Sequence, residues 1–340
     1  MAPLSKTSVR LRVAVRIAVP LAIVAATLLA VGAGPFVRGF ASVSAPTILI
    51  AFALVGVATA AAAWRWREIA HGLGIRLTWR AAFFAYYRSQ FLNTVLPGGI
   101  LGDVHRAYDH GRQAGNVRTA ARAVATERVL GQFVQIALAL AVLVPLGMTS
   151  ALGGLALASA VLSAVAVTAV CLATLTTPGR RVLRRELQLL SPLLSRPRTI
   201  ATVVISSIVV TGSFCALFIV AGLAAGATAV PGNLGAVALV VLGASAIPVN
   251  VGGWGPREAA SASAFALIGL GASTGLTVSA AFGMLAMIAV APGALVLVGD
   301  RIRAHGGRTR SGENAGERAV VGDSRPPLDA SLSVRQGEAL

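Results

Sequence analysis

Apolar runs of helical length alternate along this chain with short connections in which the arginines cluster. The pattern predicts an all-α fold, a polytopic membrane helical bundle. Apolar runs lie over 13–31, 46–63, 123–146, 151–175, 200–223, 233–246 and 275–298, with a short helix over 259–270. A further apolar run, 81–96, is short of the roughly 20 residues needed to cross a bilayer. Because Arg106, Arg112, Arg118 and Arg122 follow it, it is expected to dip in and return as a re-entrant segment. The expected count is about eight crossings plus this segment.

Polar residues inside the runs keep helical spacing. Tyr86, Gln90 and Asn93 give 81–96 one polar face, and the run also includes Arg88. On 123–146, Arg128, Gln132 and Gln135 fall within an arc of about 60° at 100° per residue, a stripe that should face protein or water. Glu127 lies off that stripe, at the expected membrane edge. Over 178–197, Leu183, Leu187, Leu190 and Leu194 are set apart from Arg180, Arg181, Arg184, Arg185 and Gln188. That is the signature of a helix lying on an anionic surface.

Two stretches break the pattern. Leu96-Pro97-Gly98-Gly99 leads into Gly102, Asp103 and Arg106; Pro248 leads into Gly252-Gly253-Trp254-Gly255-Pro256-Arg257-Glu258. Proline removes a backbone donor and glycine admits angles other residues avoid, so a helix arriving at either stretch should end there. At membrane depth such a break needs protein or a water-filled cavity to satisfy its backbone, and ionisable residues beside it are functional candidates. Laying Pro97 on Pro248 places Gly102 on Gly253 and Arg106 on Arg257, all with an offset of 151 residues. Glycine- and proline-interrupted segments in corresponding places of two halves point to a transporter binding site. Two ordinary helix-connecting turns are the alternative.

Composition narrows the class. The chain is 56% hydrophobic and 12% charged, against about 25% charged in a soluble domain. The net charge of +17 does not point to nucleic acid, since the arginines form no basic domain with interleaved aromatics. Topology and anionic head groups explain them. Lys6, Arg10, Arg12 and Arg16 without an acid place the N-terminus in the cytoplasm, and Arg301, Arg303, Arg308 and Arg310 hold the C-terminus there. Residues 65–80, 103–122 and 178–198 are expected on the same side. The region near Arg38 is expected to be an outer loop, and Trp64 and Trp66 an interfacial belt. Cys171 and Cys215 read as small buried hydrophobes. The first run reads as a signal anchor rather than a cleaved peptide. The organisation is therefore a cytoplasmic segment over 1–12, a transmembrane domain over 13–300, and a disordered cytoplasmic tail over 301–340.

The first motif, the downstream Glu127-Arg128 and the second motif together resemble the lysylphosphatidylglycerol synthase transmembrane-region family of flippase-like membrane proteins, over about residues 10–300. The resemblance implies movement of an anionic lipid or lipid-linked carrier between leaflets of the cell membrane, the lipid being a phospholipid, aminoacylated in some members, or an isoprenoid-phosphate carrier. In such proteins aminoacyl transfer belongs to a separate soluble domain. Only a short polar stretch follows residue 300, so aminoacyl-lipid synthesis is not expected of this polypeptide.

The residue chemistry agrees. Arginine suits bidentate contact with a phosphate, and broken-helix amides add donors. Arg106 and Arg257 are the phosphate-contact candidates. Asp103 and Glu258 would meet a cationic head group or hold the arginines, and the set is completed by Asn93, Glu127, Arg128, Gly98, Gly99, Gly102, Gly252 and Gly253. No cofactor or metal is expected, although Asp103, His105, Asp109 and His110 are metal-ligand types and His105 with Asp109 has i, i+4 spacing. A membrane-embedded transferase acting on a lipid phosphate is the runner-up, and a structural membrane subunit the third reading.

Overall fold

The computed structural model describes residues 29, 32–96, 99–147, 177–228, 231–245 and 254–299. Among them the chain forms ten helices and no strand: α1 Gly34–Ala41, α2 Ala45–Gly72, α3 Trp79–Val95, α4 Leu101–Gln113, α5 Val117–Gly147, α6 Thr177–Leu194, α7 Pro197–Ala224, α8 Pro231–Ser245, α9 Pro256–Leu267 and α10 Ala272–Val290. The all-α membrane bundle expected from the sequence is the observed class.

Four stretches among the described residues are long and apolar enough to cross a membrane: Ala45–Gly72, Val117–Pro145, Pro197–Ala224 and Ala272–Gly299. A 28-residue helix is about 42 Å long, which exceeds a hydrocarbon core of about 30 Å. Local chemistry fixes the helix starts. Thr78 Oγ1 accepts from the Ala81 amide at the head of α3. Pro197 and Pro256 occupy the first position of α7 and α9, where their missing amide hydrogen is not needed. The expected spans 13–31 and 151–175, the tail 301–340, and Pro97, Gly98, Pro248, Gly252 and Gly253 lie wholly or almost wholly outside the described residues.

The helices repeat. A long helix, two short ones and a second long one occur as α2, α3, α4, α5 and again as α7, α8, α9, α10, with starts offset by 152, 152, 155 and 155 residues. The packing repeats with them. Helix α2 lies against α7, α3, α5 and α10; α7 lies against α2, α8, α10 and α5. At 15 and 12 residues, α8 and α9 are as short as α3 and α4, at 17 and 13. None of the four reaches the length of a crossing.

Three local expectations are corrected. The Arg38 region is helix α1, and Phe36 packs on Leu276 and Ala280, while Gly39 lies so close that a Cβ would stand 2.4 Å from the Thr277 carbonyl oxygen. Trp66 is 2% exposed, covered by Arg106, and so is no interfacial belt residue. Arg65 is inside the bundle rather than in a solvated connection, because α2 continues as helix to Gly72.

Candidate functional site

The first break is closed by Asn93 near the end of α3. Its Oδ1 accepts from the Gly102 amide at 2.8 Å and its Nδ2 donates to Asp103 Oδ2 at 3.2 Å. Gly99 sits at φ +63°, in the left-handed region that favours glycine. Gly102 has no room for a side chain, since a Cβ would stand 2.0 Å from the Ser89 carbonyl oxygen. The two short helices touch backbone to backbone, which places Asp103 against α3.

Asp103 and Glu127 organise the charges around this break. Asp103 accepts from Ser89 Oγ at 3.0 Å and Arg106 Nη2 at 3.0 Å, and pairs with Arg128 at 2.8 Å. Glu127, fully buried, accepts from Arg65 at 3.0 and 2.5 Å, from Arg106 at 3.3 Å and from the Tyr86 hydroxyl at 3.3 Å. Arg65 also donates to Ser207 of α7 at 2.7 Å. Arg106 is held between the rings of Trp66 and Tyr86, 4.4 and 4.3 Å from their centroids. Its Nε and Nη1 make no hydrogen bond among the described residues, while its faces lie on the two aromatic rings.

The second break ends in Gly255, at φ +120°. Its amide donates to Glu258 Oε2 at 2.6 Å, so the carboxylate caps the first turn of α9. The other oxygen, Oε1, accepts from Arg257 at 2.8 and 2.6 Å and from Ser279 at 3.1 Å. Arg257 lies 5.0 Å from the Trp254 ring and 5.5 Å from that of Phe282.

Helix register alters the equivalence of the two motifs. Asp103 is the third residue of α4 and Glu258 the third of α9. The corresponding residues are therefore the acids. The 151-residue offset that paired Arg106 with Arg257 is about one helical turn away from the structural one.

A cavity of about 360 Å³ lies among α2, α3, α5, α7, α8, α9 and α10. Arg65, Arg128 and Arg257 line it, so it receives a cation from α2, α5 and α9. Tyr86, Gln90 and Asn93 face it from α3, and Gln132 and Gln135 continue the Arg128 stripe from α5. The two polar stripes legible in the sequence thus meet across one space. Arg106 is not among the lining residues; Asp103, Glu127 and Glu258 stand behind the arginines. Gly99 lines the cavity and Gly102 does not. Around the first break three guanidiniums, Arg65, Arg106 and Arg128, face two carboxylates, Asp103 and Glu127. This leaves one unbalanced positive charge. At an effective dielectric constant of about 20, an anion 4 Å from it gains on the order of 4 kcal/mol.

Arg65 escapes a reading based on loop charge, but its signal is present. Ala51, Val55, Ala58, Ala62 and Ile69 form the buried stripe of α2, and the spacing carries that stripe through Arg65. Among the metal-ligand types, Asp109 pairs with Arg88 at 2.6 Å, and the His110 ring packs 5.3 Å from Trp66.

A helical bundle with paired broken helices and an arginine-lined internal cavity defines a multi-pass membrane protein with a polar site inside it. The model of the lysylphosphatidylglycerol synthase TM region matches residues 13–293, and the chain belongs to that family, whose members are membrane proteins related to lipid handling. No curated protein and no solved structure matches the chain.

Proposed function

We propose that this protein binds the anionic head group of a membrane lipid in the central cavity and moves it between the leaflets of the cell membrane, with both termini in the cytoplasm. The observation that carries this reading is the convergence of Arg65, Arg128 and Arg257 on one cavity. Arg128 is the most accessible of the three, with 46% of its side chain exposed. Arg65 and Arg257 are almost buried and fixed by glutamates. A phosphate entering the cavity meets guanidiniums already oriented. Arg106 supports them from behind, balancing Glu127 and Asp103.

The repeat supplies a route for alternating access. Val55 shares a core cluster with Leu217 and Ala221 while Arg65 bonds Ser207, so α7 runs opposite to α2, and in the proposed topology the α3–α4 and α8–α9 pairs enter from opposite faces. Rocking of one four-helix unit against the other would open the cavity to each side in turn.

The test is movement of head-group-labelled phosphatidylglycerol in proteoliposomes, with mass analysis of the lipid afterwards. Movement without chemical change, reduced at least about tenfold by Arg128→Gln and by Arg257→Gln, is expected. Unchanged rates in both variants would remove the site, and a chemically altered lipid would establish a transferase.

A further inference from the structure

Before position 300 the sequence holds six acidic residues: Glu68, Asp103, Asp109, Glu127, Glu186 and Glu258. Every one is engaged by an arginine. Glu68 pairs with Arg198 at 3.8 Å, Asp109 with Arg88 at 2.6 Å, Glu186 with Arg122, and Glu258 with Arg257 at 2.6 Å. Asp103 and Glu127 are each shared by two guanidiniums. None of the six lines the cavity among the described residues. The stretches at the breaks, 97–98 and 246–253, contain no acid either.

The rest of the polar lining is neutral. Gln90, Asn93, Gln132, Gln135, Thr211 and Ser245 offer amides and hydroxyls, and the Nε2 of Gln132 is buried without a partner. Amides both donate and accept, which suits groups that do the same, such as the hydroxyls of a polyol or sugar. A primary ammonium would instead need a carboxylate, and burying it beside three guanidiniums without one is strongly unfavourable.

From the pairing of all six acids and the neutral amide wall, we infer that the head group is a phosphate ester of an uncharged polyol or sugar, and that a lipid with an aminoacyl cation is rejected. This rests on the proposed binding site and narrows its ligand. The chemistry is common to a diacylglycerol phosphate ester and a prenyl-phosphate glycoside, which differ in the polyol and in the tail.

The test is binding to the purified full chain, read from native mass spectra and from fluorescence of the tryptophans, Trp254 lying beside Arg257. The probes are phosphatidylglycerol, lysyl-phosphatidylglycerol, phosphatidic acid and a polyprenyl-phosphate hexose. One or both of the polyol or sugar esters should bind at least about tenfold more tightly than lysyl-phosphatidylglycerol and several-fold more tightly than phosphatidic acid, and which binds tells the two lipid classes apart. Gln135→Glu, which adds an acid to the cavity, should raise affinity for the lysyl lipid and lower it for phosphatidylglycerol. Comparable binding of lysyl- and phosphatidylglycerol to the unaltered protein, both lost in Arg128→Gln with Arg257→Gln, would overturn the head-group inference and leave the site standing. Equal binding of phosphatidic acid and both esters would overturn the polyol assignment. Binding of every lipid unaffected by the arginine substitutions would remove the site and the inference with it.

Discussion

The guanidinium of Arg257 rests on Gly283: a Cβ there would stand 2.4 Å from Nη2. The same relationship joins Arg65 to Gly131, where the distance is 2.7 Å. In each case the absent side chain makes the space in which a cavity arginine lies beside its glutamate. The atom displaced by a methyl group is the end of a flexible side chain, so the helices themselves need not move. Gly283→Ala and Gly131→Ala should therefore change stability by no more than about 1 kcal/mol, the displaced guanidinium being offset in part by the better helix propensity of alanine. Anionic-lipid binding should fall at least about tenfold in each. Thermal unfolding and lipid titration on the same samples read the two effects separately; full binding in both variants would mean that the arginine positions do not matter.

Glu127 is the acid on which the buried charges depend. Its neutralisation leaves Arg65, Arg106 and Arg128 facing Asp103 alone, and an uncompensated buried charge costs about 3–5 kcal/mol. Glu127→Gln is expected to lower the unfolding midpoint strongly. Arg65→Met in the same chain should recover part of the loss by removing one unbalanced cation. A double variant no more stable than the single one would contradict this charge balance.

Arg122 of α5 binds Glu186 of α6 through both carboxylate oxygens, with Nη2 to Oε1 at 2.7 Å. Its hydrogen bonds hold the Glu186 carboxyl below the ordinary value of 4.5, with burial acting weakly in the opposite direction. A depressed folded-state pKa contributes stability above the unfolded value and loses it as pH falls through the folded one. The attachment of α6 should thus be constant from neutral pH to about 4.5 and weaken below. Amide exchange in α6, corrected for intrinsic rates, should follow that course, and Glu186→Gln should abolish the dependence. Loosening already at pH 6 would show that another group governs the attachment.

The proposed inversion of the repeat places the α4–α5 connection in the cytoplasm and the α9–α10 connection outside. With Cys171 and Cys215 replaced, Ala114→Cys should react with an impermeant thiol reagent only after permeabilisation, and Ala272→Cys should react in intact cells. Reaction of both from the same side would rule out an inverted arrangement.

Much of this protein follows from the order of its residues. Apolar runs of helical length in a chain with little charge determine an all-α membrane bundle, because a backbone in hydrocarbon must satisfy its own hydrogen bonds. Proline and glycine fix the helix breaks, since their effects on the backbone act locally. Helical periodicity likewise makes the Tyr86, Gln90, Asn93 stripe and the Arg128, Gln132, Gln135 stripe readable, each lying on one continuous helix. Only the tertiary structure decided that these stripes face the same cavity and that Arg65 and Arg257 join them. It also decided that Arg106, adjacent to the break in sequence, lies between Trp66 and Tyr86 instead of on the cavity. The partners of Glu127 lie 62, 41 and 21 residues away, and nothing in the spacing of one helix specifies which helix packs against it. Periodicity sets the face a residue occupies; the packing of distant helices sets whether that face meets lipid, an aromatic ring or the cavity.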